Sequence, residues 1–213
     1  MRVLAVVPGI YDRSPGQRYR IEQWEPHLRK RGVEITYAPF EDEVLHGLLY
    51  QPGALSRKLA LVIQGMRRRL THVKQARDYD LVYIFREAAL LGPAVFERLI
   101  HQTKTPIVFD FDDAIFVSYR SPSNGYLSYL KFAGKTRNIC RMAAHVMVGN
   151  PYLESYARQV NDEVTIIPTT IDTEKYQIPE RIENAREIVI GWTGSHSTVQ
   201  HLETLRSALN KLA

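Results

Sequence analysis

The sequence predicts an α/β fold, a parallel sheet with helices on both faces. Short apolar runs bounded by turn residues recur along the 213 residues, at 2–7, 33–37, 81–85, 106–109, 145–148 and 164–167. Segments with helical spacing of apolar residues lie between them, so successive strands run the same way through crossovers. The composition, 45% hydrophobic and 24% charged, supplies enough apolar side chains for one substantial core and fits an ordinary soluble chain rather than a disordered or membrane-spanning one.

The first run, 2–7, is stopped by Pro8-Gly9 and is too short for a signal-peptide core or a spanning helix, so a cytoplasmic protein is expected. A helix is predicted over 17–31, with Pro26 set to kink or restart it. The next helix, 53–77, has apolar residues at Leu55, Leu59, Val62, Ile63, Met66, Leu70 and Val73, the spacing of an amphipathic helix. Residues 55–78 hold seven cationic side chains (Arg57, Lys58, Arg67, Arg68, Arg69, Lys74, Arg77) against Asp78 alone, a net +6 within a chain of net +5. A basic outer face on this helix would suit peripheral contact with the anionic inner face of a membrane; the alternative is a solvated basic face on a core-packing helix. Nucleic acid is not expected, because no aromatics interleave with the cations and no recognition motif accompanies them. Further helices are predicted at 91–102, 124–142 and 150–159. The single cysteine, Cys140, has no partner for a disulfide or a zinc site and reads as core filler.

Ligands of open parallel sheets bind beyond the carboxyl ends of the strands, so the residues after each run carry the functional argument. After the first strand there is no G-x-G-x-x-G, and after the second no well-placed ribose acid, which argues against a dinucleotide site. Gly16 instead opens a helix whose first turn carries Arg18 and Arg20, flanking Tyr19. Cations there oppose the helix dipole, so an anionic partner such as a phosphate is one reading, and bending away to Glu22, Glu25 or solvent is the other. The third strand delivers Arg86 and Glu87 to the same rim, where a salt bridge between helix and strand accounts for them better than a ligand does.

The fourth strand ends in "DFDDAIF", the densest charge in the chain. Asp110, Asp112 and Asp113 are more carboxylates than a helix cap needs, and close carboxylates suit a general base or a hydroxyl-binding site. A haloacid-dehalogenase-type phosphatase also places D-x-D after an apolar strand, but Ala114 stands where those proteins usually carry Thr or Val, and the motif belongs after their first strand. Beyond the carboxylates come Tyr119, Tyr126 and Tyr129, suited either to stacking on sugar rings or to packing.

Several segments together resemble the GT-B glycosyltransferases, specifically the large retaining family called group 1 or GT4. "YRIEQWEPHLRKRGVEI" is similar to that family's opening helix and second strand, and "VMVGNPYLESYA" to its last strand and helix before the interdomain crossing. "VTIIPTTIDTEKY" is the most specific, with Pro168, Asp172 and Tyr176 in place and Thr169-Thr170 standing for the usual Asn-Gly. The resemblance implies a Rossmann-like acceptor-binding domain over 1–168, a linker over 169–186, and the first βα unit of a donor-binding domain over 187–213. Its turn, with Gly191, Thr193, Gly194, Ser195 and His196, offers backbone N–H groups and hydroxyls that suit a donor diphosphate, although Ser195 or Ser197 also serves as a helix cap.

The resemblance further implies hexosyl transfer from a nucleotide sugar to a carbohydrate or lipid-linked acceptor, with retention and with no metal or other cofactor. Asp110, Asp112 and Asp113 are the expected catalytic or hydroxyl-binding residues; Gly16, Arg18, Tyr19, Arg20 and Arg86 are expected to line the acceptor side. The rest of the donor domain would lie beyond Ala213, so a truncated form, inactive alone, is expected. A non-catalytic binding module is the alternative, and a phosphatase using Asp110 and Asp112 a more distant one.

Overall fold

Burial on both faces explains why the first strand is an unbroken apolar run: Ala5, Val6 and Val7 are fully buried and Leu4 is 1% exposed. This strand, β1 (Arg2–Val7), lies inside a six-stranded, wholly parallel sheet of order β2-β1-β3-β4-β5-β6. The others are β2 (Glu34–Pro39), β3 (Leu81–Phe85), β4 (Ile107–Phe111), β5 (His145–Val148) and β6 (Val164–Ile166). The helices are α1 (Pro15–Arg20), α2 (Glu25–Arg29), α3 (Glu43–Leu49), α4 (Leu55–Gln75), α5 (Val95–Gln102), α6 (Lys135–Met142), α7 (Pro151–Ala157) and α8 (Arg206–Leu209). The computed structural model describes residues 1–49, 53–118, 132–177, 190–192 and 202–211. The fold is α/β and Rossmann-like. The chain divides into two compact units, Met1–Asp172 and Thr173–Ala213.

Alternation along the strands splits the core between the two faces. Leu4, Val6, Val82, Ile84, Phe109 and Phe111 face the cluster that α4 to α7 cover. Val3, Ala5, Val7, Tyr83 and Phe85 face the other way, against Ile21 at the end of α1. Asp110 therefore points to the α1 side. β4 runs two residues further than the apolar pattern predicts, because Asp110 belongs to the strand and pairs in register with Phe85.

The helix predicted over 17–31 is three pieces: α1, a 3₁₀ turn at Glu22–Trp24, and α2, which restarts with Pro26 in its first turn. α3 was not predicted; Asp42 caps it, accepting the Leu45 N–H at 2.9 Å. α5 starts at Val95 rather than at 91, just after Gly92 and Pro93. Of the predicted 124–142, α6 supplies 135–142, and residues 119–131, with Tyr119, Tyr126 and Tyr129, lie outside the described residues. Among the described residues no helix is long and apolar enough to cross a membrane.

α4 corrects the sequence reading most. Its buried residues are Lys58, Val62, Gly65, Arg69 and Val73, while Leu55, Leu59, Ile63 and Leu70 are exposed. Gly65 permits the close approach, since a Cβ there would lie 2.9 Å from the Phe40 ring and 3.0 Å from its carbonyl oxygen. Arg69, expected on a basic outer face, is fully buried, and its guanidinium donates to three carbonyls: Ala88 at 2.7 Å, Ala38 at 2.7 Å and Val7 at 3.1 Å. Burial pushes the guanidinium down to about 9, which still leaves it charged at neutral pH.

His72 accepts from Arg69 across 3.3 Å, so its ring must be neutral at that nitrogen. Burial, then Arg69 and Arg68, push the imidazole from 6.5 down to about 4. The unfolded chain takes up this proton near the ordinary value and the folded chain only near the depressed one. The contribution is therefore fully present above 6.5 and lost as pH falls toward 4. Between about pH 7 and 4.5, urea titrations should show wild type losing roughly 1–2 kcal/mol more stability than His72→Gln, after allowance for the ring's partial exposure.

Candidate functional site

Strand order places the crevice. β1 sends the chain outward to β2 on one side and has β3 on the other, so the order reverses between β1 and β3, and loops leaving their carboxyl ends diverge around an opening.

The loop after β1 is held from beneath. The Gly9 N–H donates to Gln17 Oε1 at 3.1 Å, Gln17 Nε2 donates to Glu22 Oε1 at 2.6 Å, and the Asp12 N–H donates to Glu22 Oε2 at 2.9 Å. Gln17 and Glu22 are buried, and burial raises the Glu22 carboxyl against the opposing pull of its Gln17 and Asp12 hydrogen bonds. α1 follows, with Pro15 in its first turn, and brings Gly16 against the rim of β3 and β4. A Cβ at Gly16 would stand 3.1 Å from Arg86 Nη2 and 3.3 Å from Asp112 Oδ2, closer than nearly all side-chain contacts allow. Arg18 turns back to its own loop, reaching Asp12 Oδ1 at 2.6 Å and donating to the Asp12 carbonyl at 2.7 Å, and its charge also favours the ionised form of Glu22. Tyr19 is half-buried.

Arg86, the first residue after β3, has φ of 60°, the left-handed region that a residue with a Cβ seldom occupies. Its N–H donates to the Asp110 carbonyl at 2.7 Å, and its side chain reaches Asp112 Oδ1 at 2.9 Å from Nε and also Asp113. Such strain, of order 1–3 kcal/mol, persists only where surrounding contacts impose it, and it collects at functional sites. The rim carries the expected salt bridge between helix and strand: Glu87 pairs with Lys135 of α6, whose ammonium also donates to the Ala89 carbonyl at 2.8 Å.

Asp110 corrects a second expectation. It is fully buried, so it cannot contact an acceptor hydroxyl. Arg20, 5% exposed, grips it with Nε at 3.0 Å from Oδ2 and Nη2 at 2.5 Å from Oδ1, and the Tyr83 hydroxyl donates to Oδ2 at 2.5 Å. Arg20 thus does not line the crevice either; its remaining nitrogen donates to the Ile167 carbonyl, beyond β6. Burial raises the Asp110 carboxyl against the pull of Arg20 and Tyr83, and lifts the Tyr83 hydroxyl well above its ordinary value. A nucleophilic role for Asp110 in a phosphatase has no accessible oxygen to work with.

Gly16, Arg86, Asp112 and Asp113 remain together at the opening. Two carboxylates with spare lone pairs beside a partly exposed guanidinium can receive hydroxyls and an anionic group at once. An aromatic cluster lies further along the same rim: Phe116 stacks on Tyr156 at 3.7 Å and 5°, with Tyr152, 63% exposed, at 5.9 Å. Sequence reasoning missed this cluster, and it missed Gln17 and Tyr83, naming Glu22 only as a partner for the arginines; the hydroxyl of Tyr83 inside "LVYIF" was the one available sign. Of the expected donor turn, Gly191 is exposed and Thr193, Gly194, Ser195 and His196 lie outside the described residues.

No protein-family profile matches the chain, and no curated protein matches its sequence. Among solved structures it is similar to HepE of Anabaena, determined in complex with UDP-glucose, with a TM-score of 0.51 and 17% identity. The match covers 99% of this chain and 50% of HepE, so the chain spans about half the length of that protein. At this identity the likeness is one of fold, and it extends across both compact units.

Proposed function

We propose that the chain forms the acceptor-side half of a GT-B, nucleotide-sugar-dependent glycosyltransferase of the retaining type, inactive without a complete donor half. The observation that carries this reading is the crevice at the switch point, where Gly16 brings the backbone so near that a Cβ would lie 3.1 Å from Arg86 and 3.3 Å from Asp112. Two features support it: the segments that resemble the group 1 family, and the fold shared with a protein of about twice this length determined in complex with UDP-glucose.

In this reading Asp112 and Asp113 accept hydrogen bonds from acceptor hydroxyls, and either carboxylate takes the proton as the hydroxyl attacks. Arg86 fixes the two carboxylates and offers its free edge to an anionic part of the acceptor or leaving group. Asp110 and Arg20 hold the platform and touch no substrate. The donor phosphate would be received by the turn that contains Gly191 and His196, through backbone N–H groups rather than a metal.

The test is calorimetric titration of UDP-, GDP- and ADP-sugars into this chain and into a longer chain carrying a complete second half. Binding and sugar transfer by the longer chain, with transfer lost in Asp112→Asn/Asp113→Asn at unchanged donor affinity, is the expected result. Donor binding by neither chain, or full transfer by the double variant, would overturn the assignment.

A further inference from the structure

The exposed residues of α4 form a surface that the crevice does not explain. Leu55, Leu59 and Ile63 succeed one another at four-residue steps and Leu70 follows two turns on, so they share one stripe, displaced around the helix from the buried Lys58, Val62, Gly65, Arg69 and Val73. Each of the four is more than 40% exposed, and none packs on the core, whereas Leu61 and Met66 do. Isolated exposed leucines need no explanation; a run of three large apolar side chains at successive turns, with a fourth two turns on, does.

The charge within α4 is of one sign, and Asp78, one turn beyond Lys74, is the carboxylate that follows it. No acidic residue occurs anywhere in α4. Arg67 stands one turn beyond Ile63, and Lys74 one turn beyond Leu70, along the outer border of the stripe. Arg77 follows at its carboxyl end. Among the described residues no carboxylate pairs with any of these three, in contrast to Arg68, which Asp42 neutralises at 2.8 Å. A groove of about 280 Å³ opens at the same end, between α4 and α5, with Val73 and Leu99 as its apolar walls and Lys74 and Arg77 on its rim.

We infer that α4 docks in the plane of an anionic lipid surface, with Leu55, Leu59, Ile63 and Leu70 entering the headgroup boundary and Arg67, Lys74 and Arg77 meeting lipid phosphates. An apolar stripe bordered by cations that no described carboxylate pairs is the arrangement that an interfacial helix needs, because apolar burial and attraction to anionic lipid add. The groove accepts one phosphate-bearing headgroup together with the first methylenes of its chains. A second protein copy fits less well, since it would have to cover these cations with the same cations. The inference is independent of the reading of the crevice, because no residue of one belongs to the other.

Flotation of the 213-residue chain with phosphatidylcholine vesicles, with and without about one third phosphatidylglycerol, tests it. The chain should float with the anionic vesicles and far less with the neutral ones. Leu59→Ser/Ile63→Ser/Leu70→Ser and Lys74→Glu/Arg77→Glu should each weaken anionic flotation roughly tenfold or more while thermal melts stay unchanged. Flotation with neither vesicle, equal flotation with both, or undiminished flotation of either variant overturns the inference. So does light scattering that finds a dimer which the triple serine variant dissociates, because a second copy would then own the stripe.

Discussion

Arg20→Leu is expected to lower the stability of the chain by about 3–5 kcal/mol, because it strips a buried carboxylate of its counter-charge while leaving it buried. Asp110 has no exposed oxygen with which to recover hydration, and the Tyr83 hydroxyl alone cannot offset the loss. Urea unfolding followed by circular dichroism gives the number. The double variant Arg20→Leu/Asp110→Leu should recover a large part of it, since the cost lies in the orphaned charge more than in the missing attraction. Arg20→Lys should fall between, because one ammonium cannot reproduce the guanidinium's contacts to both carboxylate oxygens and to the Ile167 carbonyl. A loss below about 1 kcal/mol in Arg20→Leu would mean that Asp110 finds water or another donor.

Arg69→Leu should be comparably damaging, for a different reason. Here the Ala88 and Ala38 carbonyls lose their side-chain donor, that of Val7 keeps the Phe40 N–H at 2.9 Å, and the buried Glu97 loses the attraction of the guanidinium; a buried carbonyl left without a donor costs about 1–3 kcal/mol. The leucine returns apolar burial beside Phe40, so a net loss of about 3–5 kcal/mol is expected. For a unit of this size that corresponds to a melting point lower by roughly 10 °C. Val7 and Ala38 lie at the carboxyl ends of β1 and β2, and Ala88 just beyond β3, so the same side chain fastens the crevice from behind. Hydrogen exchange in Arg69→Leu should therefore quicken first at residues 8–14 and 86–89, ahead of the β5 amides.

What the sequence disclosed, and what it hid, follows from the range of the interactions. β1, β3 and β5 were legible to the residue because strands buried on both faces must be apolar throughout, and Pro8, Arg86 and Gly149 end them locally. β4 was cut short at Phe109 because a carboxylate in a buried strand has no local explanation; its partners lie 90 and 27 residues away, at Arg20 and Tyr83. For α4 the period was right and the face wrong. Four exposed apolar residues outvoted Lys58 and Arg69, although Arg69 occupies the same helical phase as Val62 and Val73. At the crevice, Gly16, Arg86, Asp112 and Asp113 were legible as residues that follow strands, whereas the buried polar bed of Gln17 and Glu22 depends on the course of the loop above it.

The grip of Arg20 on the Ile167 carbonyl, joined by that of Gln23 on Thr170, spans 147 residues of chain in each case. During synthesis α1 emerges long before either partner exists. Closing so long a loop carries an entropic cost that local contacts avoid, and both acceptors lie past β6, the last strand of the sheet. The helix that opens the crevice is made early and fastened late, so the order of assembly itself keeps a half-built chain from presenting a finished binding surface.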